Sequence, residues 1–259
     1  MTELIHDFRI DRLHVKAYST REHTGRAAGL AAAEAIAQAI ARQGSARVIF
    51  AAAPSQNEML STLTADTSVD WSKVTAFHMD EYIGLPEDSP QRFARYLHER
   101  VFDRLPFASL QRLGLHSPES DCEYYANRLA EKPIDIVCLG IGENGHLAFN
   151  DPPVANFNDP QLVKIVTLDL PCRQQQVNDG CFPTIDSVPE RAVTLTIPTL
   201  MQAMTLICTV PGPKKRNAVR ATLHDEISTR CPATILRTHS HCTLFLDAGS
   251  FPGEYTEAS

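Results

Sequence analysis

Short apolar runs alternate with longer stretches of helical period along most of the chain. Leu13-His14-Val15-Lys16-Ala17-Tyr18 has the period-two alternation of a half-buried strand. Ser19-Thr20-Arg21-Glu22 follows with the spacing of a capping box, Ser19 as the cap and Glu22 three residues on. An alanine-rich helix is predicted over residues 20–43, stopped by Gly44, which tolerates the left-handed backbone of a helix end. Its apolar residues cover much of the circumference, as a helix packed on a sheet requires. Further strands are predicted over residues 47–51, 74–78, 134–139, 192–197, 205–210 and 243–246. Helices are predicted from residue 58 to 63, from 90 to 104 and over about 215–223, the second with Phe93, Tyr96, Leu97 and Val101 on one face. Residues 134–139 form the most continuous apolar run, the pattern of a central parallel strand covered on both sides.

Strand–helix alternation at this spacing predicts an α/β protein. Its sheet is Rossmann-like and mostly parallel, with helices on both faces, and a single domain spans residues 1–259. No internal repeat or linker interrupts it. Residues 152–189 are polar and punctuated by proline, and read as a lid or a long irregular excursion.

Composition narrows the function classes. The 259 residues are 43% hydrophobic and carry a net charge of −7 with no lysine/arginine-rich run, which argues against nucleic acid as the main partner. Residues 1–16 have charges where a signal peptide needs an apolar core, and no stretch approaches the roughly 18 apolar residues of a membrane span. The seven cysteines are scattered, odd in number and contain no CxxC pair, so free thiols in a reducing cytoplasm are expected.

Four polar clusters fall just beyond predicted strand ends, where parallel sheets gather their reactive groups. They are Ala53-Pro54-Ser55-Gln56-Asn57, His78-Met79-Asp80-Glu81-Tyr82, Gly140-Ile141-Gly142-Glu143-Asn144-Gly145-His146 and Pro211-Gly212-Pro213-Lys214-Lys215. Each also has a plain reading. Ser55 suits an ordinary helix cap, although a helix start also favours an anion such as phosphate. Asp80 and Glu81 suit a solvated acidic turn. Lys214 and Lys215 open a helix, where the dipole disfavours cations, and that misplacement points to an anion for one of them. His146 suits a turn histidine, but three glycines let the backbone approach a ligand, and Asn144 and Asp151 are placed to hold one imidazole tautomer.

Other motifs are weaker. Gly140-Ile141-Gly142-Glu143-Asn144-Gly145 matches the dinucleotide fingerprint in letters, yet follows a central strand with no clear helix after it. His239, His241 and Cys242 lack a further ligand pair at a known zinc spacing, and no G-x-S-x-G elbow is present.

Phe77-His78-Met79-Asp80-Glu81-Tyr82-Ile83-Gly84-Leu85-Pro86 and residues 140–152, GIGENGHLAFNDP, resemble the two signatures of glucosamine-6-phosphate deaminases (isomerases), within a superfamily shared with 6-phosphogluconolactonases. Residues 192–200 and Gly212-Pro213-Lys214-Lys215 follow in the family's order, so the similarity spans about residues 47–247. The resemblance implies an amino sugar phosphate as substrate, an aldose–ketose isomerisation that releases ammonia (a C–N hydrolase by class), no cofactor and no metal. It implies His146 for ring opening, Asp80 for proton transfer between C2 and C1, and Asp151 and Asn144 as supports of His146. For phosphate it implies Ser55 with Gln56, Lys215, and either Gln176 or Arg173 where many relatives carry an arginine. A homo-oligomer is admissible.

Three departures stand out. Asn144 replaces a common Asp, Asp151 replaces a common Glu and is shorter by about 1.5 Å, and the phosphate loop is alanine-rich. The proton-transfer groups thus match the family better than the anion clamp does. A 6-phosphogluconolactonase-like hydrolase or a non-catalytic sugar-phosphate binder remain as alternative readings.

Overall fold

A computed structural model describes residues 3–253. In chain order the elements are β1 (Leu4–Ile10), β2 (Leu13–Tyr18), α1 (Arg21–Gln43), β3 (Ala46–Phe50), α2 (Asn57–Ala65), β4 (Val74–His78), β5 (Asp80–Tyr82) and α3 (Phe93–Arg100). Then come β6 (Ser109–Leu110), α4 (Pro118–Ala130), β7 (Ile136–Leu139), β8 (Val163–Thr167), α5 (Leu170–Asn178), β9 (Arg191–Leu195), α6 (Ile197–Met201), β10 (Thr205–Val210), α7 (Arg216–His224) and β11 (Cys242–Asp247).

The main sheet has the order β1-β2-β11-β10-β7-β3-β4-β6, and every pair in it is parallel except the β1–β2 hairpin. The α/β, mostly parallel, Rossmann-like expectation holds. From β3 the chain winds outward through β4 to β6; from β7 it winds the other way through β10 to β11. The two directions part between β3 and β7, so the crevice of the fold opens at their carboxyl ends. Apolar side chains cover the sheet on both sides: Val48, Phe50 and Ile136 pack with α1 and α2, and Ile49, Val137 and Leu139 with the opposite layer.

The long helix stops at Gly44 as read: its φ is +80° and its N–H reaches the Ile40 carbonyl at 2.7 Å. Its start is corrected by one residue. Thr20, not Ser19, is the cap, accepting from the His23 N–H, because the first helical residue is Arg21 and a cap must directly precede it. Ser19 Oγ instead lies 3.0 Å from His23 Nδ1.

The predicted helix over 90–104 shrinks to Phe93–Arg100, with a single 3-10 turn at Phe102–Arg104. Arg92 is still extended at ψ 138°, and the helix starts where the distant Glu81 supplies its cap, accepting from the Phe93 and Ala94 N–H groups. The strand predicted over 192–197 is real but belongs elsewhere. As β9 it lies in a separate antiparallel sheet, β5-β9-β8, and Ile197 already opens α6. Residues 152–189 are neither a lid without structure nor irregular throughout, since they contain β8 and α5. The alternation of β8 is broken by polar residues, and its partner β9 lies a helix away in sequence, so no local pattern announced it.

No helix among the described residues is long and apolar enough to cross a membrane. All seven cysteines are free thiols, five of them buried.

Candidate active site

A small half-open cleft, with about 70 Å³ of cavity volume, lies over the carboxyl ends of β3 and β7. The loop after β3 supplies Ala53, Ser55 and Gln56, β5 supplies Asp80, the loop after β7 supplies Gly142 and His146, α5 supplies Gln175 and Gln176, and the 3-10 turn before α7 supplies Lys215. Six of the residues read from the sequence as candidates therefore share one hollow: Ser55, Gln56, Asp80, His146, Gln176 and Lys215. Phe93, Met79 and Phe149 form its apolar wall.

Asn144 and Asp151 stand behind His146 rather than in the cleft. His146 Nδ1 lies 2.8 Å from Asn144 Oδ1 and 2.9 Å from Asp151 Oδ1. Asn144 Nδ2 donates to the same Asp151 oxygen at 2.8 Å, which orients the amide, and Asn144 Oδ1 also accepts the His146 backbone N–H. Both neighbours of Nδ1 are acceptors, so the neutral ring carries its proton there and leaves Nε2 bare for chemistry. The shorter Asp151 spans the gap because the turn after His146 brings the carboxylate close: Asn150 N–H closes on the Leu147 carbonyl, and Ala148 takes φ +51°. The ring lies directly over Gly142, where a Cβ would sit 2.2 Å from His146 Cε1. Glycine is required at that position because any side chain would push the imidazole away.

The carboxylates in this region have been driven apart. Asp80 is 7% exposed and receives no hydrogen bond among the described residues. Burial, reinforced by the charges of Glu81 and Asp151, pushes its pKa well above the ordinary carboxylate range. Asp151 is equally buried, and desolvation would raise it, but the His146 charge and the bonds from His146 and Asn144 outweigh that and leave it lowered. The two carboxyls thus differ in how tightly they hold a proton, Asp80 more and Asp151 less than an ordinary aspartate.

Glu81 is no solvated turn residue either. It is fully buried, caps α3 and faces Arg92 at 3.5 Å. His78 accepts the Leu113 N–H through Nε2, and burial drives its pKa down to about 3, so it stays neutral and structural.

At the other end of the cleft Lys215 is buried, and among the described residues no carboxylate pairs with it. Desolvation lowers its pKa. An unpaired buried ammonium beside Ser55 and the start of the segment leading into α2 suits an anion. Lys214, in contrast, is exposed and donates to the Asn178 carbonyl. Gln56 holds the loop from behind, donating to the Thr209 carbonyl at 3.0 Å.

Arg173 is corrected. Its guanidinium donates to the Ile185 and Val188 carbonyls and faces Glu190 instead of lining the cleft. Gln176, one turn further along α5, does line it. Gln175, which the sequence reading passed over, lines the cleft and accepts the Glu143 N–H at 2.7 Å, tying α5 to the histidine loop. Its only trace in the sequence is the triple glutamine beside the predicted position.

His146, Asp151 and Cys172 bring a nitrogen, an oxygen and a sulfur within 4.8 Å of one another, a donor set that can hold a transition metal. Burial, reinforced by Asp151 and Asp169, pushes the Cys172 thiol up when no metal is bound. His239, of the weaker zinc motif, spends Nε2 on the Ala203 carbonyl and Nδ1 on the His241 N–H.

Fold and site together define an α/β protein whose cleft at the switch point of the sheet is lined by a buried carboxyl, a histidine and a buried lysine. Residues 19–245 match the family of glucosamine-6-phosphate isomerases/6-phosphogluconolactonase, and the chain belongs to that family. Glucosamine-6-phosphate deaminases of Bacillus cereus (strain B4264) and Bacillus cytotoxicus are 36% and 35% identical over 181 residues, which cover 69% of this chain and 67% of each relative. Among solved structures, a monomeric glucosamine-6-phosphate deaminase superposes with a TM-score of 0.82 at 28% identity, over 91% of this chain and 98% of that one. A 6-phosphogluconolactonase of Shewanella baltica shares the fold, with a TM-score of 0.76 at 18% identity, over 93% of this chain and all of the other.

Proposed function

We propose that this protein is a cofactor-independent deaminase that converts glucosamine 6-phosphate and water to fructose 6-phosphate and ammonia. The observation that carries this reading is Asp80: a buried carboxyl with a raised pKa and no partner, facing the same cleft as a tautomer-locked histidine. A lactone hydrolase needs a base for water, but it has no use for a second, protonatable carboxyl beside the sugar carbons.

Bare Nε2 of His146 accepts the proton of the C1 hydroxyl and returns one to the ring oxygen, which opens the ring. Asp151 stabilises the imidazolium formed between those steps, and the amide of Asn144 holds ring and carboxylate in register. Asp80 then removes the proton from C2, the electrons of that bond form the C1–C2 double bond, and the C1 oxygen takes up a proton from the C2 ammonium to give the enolamine. The same carboxyl, now protonated, delivers its proton to C1. Water adds to the resulting C2 imine, and ammonia leaves. A carboxyl that must act as both base and acid is helped by a pKa above the ordinary carboxylate range, the direction in which burial moves it here. Lys215, Ser55 and Gln176 hold the phosphate, and self-association is not needed to complete the cleft.

The test is ammonia release over a panel of phosphorylated amino sugars, run beside acid production from 6-phosphogluconolactone. Ammonia from glucosamine 6-phosphate supports the reading. Turnover of the lactone alone makes the protein a hydrolase, and saturable binding with neither product makes it a sensor.

Lys215→Met is expected to raise KM about 10- to 100-fold, the worth of a charge-assisted bond to phosphate, with a smaller change in kcat. The same change should raise Tm at neutral pH. The folded pKa of Lys215 is depressed below its unfolded value, so keeping it charged costs stability there. Kinetics and thermal melts in low-phosphate buffer check both.

A further inference from the structure

Asp151 has a second oxygen whose role the reaction does not explain. Oδ1 serves His146 and Asn144, while Oδ2 is fully buried and has no conventional hydrogen-bond partner. A buried carboxylate oxygen left bare is costly, and such atoms in native proteins nearly always face a donor. Cys172 is that neighbour. Its sulfur lies within 4.8 Å of a carboxylate oxygen of Asp151 and of a ring nitrogen of His146, and it is 1% exposed.

The placement of Cys172 is well determined. It is the third residue of α5, where its own N–H is capped by Asp169 Oδ1 at 2.9 Å, which fixes the first turn. Burial keeps the sulfur as a thiol. A thiol in this position has a proton to donate, and it lies beside a carboxylate with one oxygen unserved.

We propose that Cys172 is a positioning residue: its S–H donates to Asp151 Oδ2 and so fixes the carboxylate plane that holds the His146 ring. α5 then reaches the acid–base machinery twice, through this thiol and through Gln175 on the backbone of Glu143. The functional part rests on the reading of His146 as the proton-transfer group, but the hydrogen bond stands or falls independently of it.

The two parts are tested separately. The S–H stretching band of Cys172 is isolated as the infrared difference between the wild-type protein and Cys172→Ser. A donating thiol absorbs at lower frequency than a free one, and Asp151→Asn is expected to shift that band upward. A band that stays in place in Asp151→Asn overturns the hydrogen bond, whatever the activity shows. In steady-state kinetics Cys172→Val, which fills the site without a donor, is expected to lower kcat roughly five- to tenfold with KM within about twofold. Cys172→Ser, which keeps a donor, should stay within about twofold of wild type in both. Equal kcat values for the valine and serine variants overturn the positioning role. A fall in kcat for both to the same level assigns the effect to packing and overturns it as well. Should His146→Gln retain full activity, the proposed function fails while the infrared result still stands.

Discussion

Asp80→Asn is expected to lower the rate of ammonia release by about three orders of magnitude or more, the range for losing a positioned acid–base group. Substrate binding should remain within a few-fold, because the amide keeps the shape of the side chain and the phosphate end is untouched. The variant should also be more stable than the wild type near neutral pH. In the folded protein the Asp80 pKa is raised, so the native state holds the proton more tightly than the unfolded chain does. Its stabilising contribution is therefore full below the unfolded value of 3.8 and is lost as pH rises through the folded pKa. An asparagine cannot ionise and escapes that cost. Thermal melts of both proteins should converge at low pH and separate in favour of the variant as pH increases. The same titration predicts that kcat/KM falls on the acid side at a pH well above that of an ordinary aspartate. Near-normal ammonia release from Asp80→Asn would remove this carboxyl from the mechanism.

His146→Gln is expected to cost about 10²- to 10³-fold in kcat with the closed-ring substrate. The loss should be partly recovered when substrate is supplied in open-chain form, since Asp80 is intact and the remaining steps do not use the imidazole. Glutamine can still reach Asn144 and Asp151, so the loop is not stripped of its hydrogen bonds. Stopped-flow comparison of the two substrate forms is the measurement. An equal loss with both would place His146 in a step after ring opening.

Much of this arrangement was legible in the sequence because the signals are local. Gly44 stops α1, the apolar run at Ile136–Leu139 is a central strand, and the polar clusters follow strand ends, each read from a few adjacent residues. The clusters holding Asp80, His146 and Lys215 were reached by the same logic, while the family resemblance singled out Asp80 and Lys215 within theirs. The misreadings share a different cause. The apolar alternation of β9 is correct, but nothing within it says that its partners are β5 and β8 rather than the main sheet. The start of α3 depends on Glu81, a dozen residues upstream. Arg173 and Gln176 sit three residues apart on one short helix, and only the way α5 docks decides which of them meets the cleft.

The sequence by itself determined which residue types stand after which strands, since periodicity and turn chemistry are properties of neighbouring residues. The tertiary structure alone decided their electrostatic state. Burial raised the Asp80 pKa, His146 and Asn144 outweighed the burial of Asp151 and lowered its pKa, and desolvation lowered that of Lys215. Desolvation and charge proximity depend on what packs around a group from distant parts of the chain, and no local pattern carries that information.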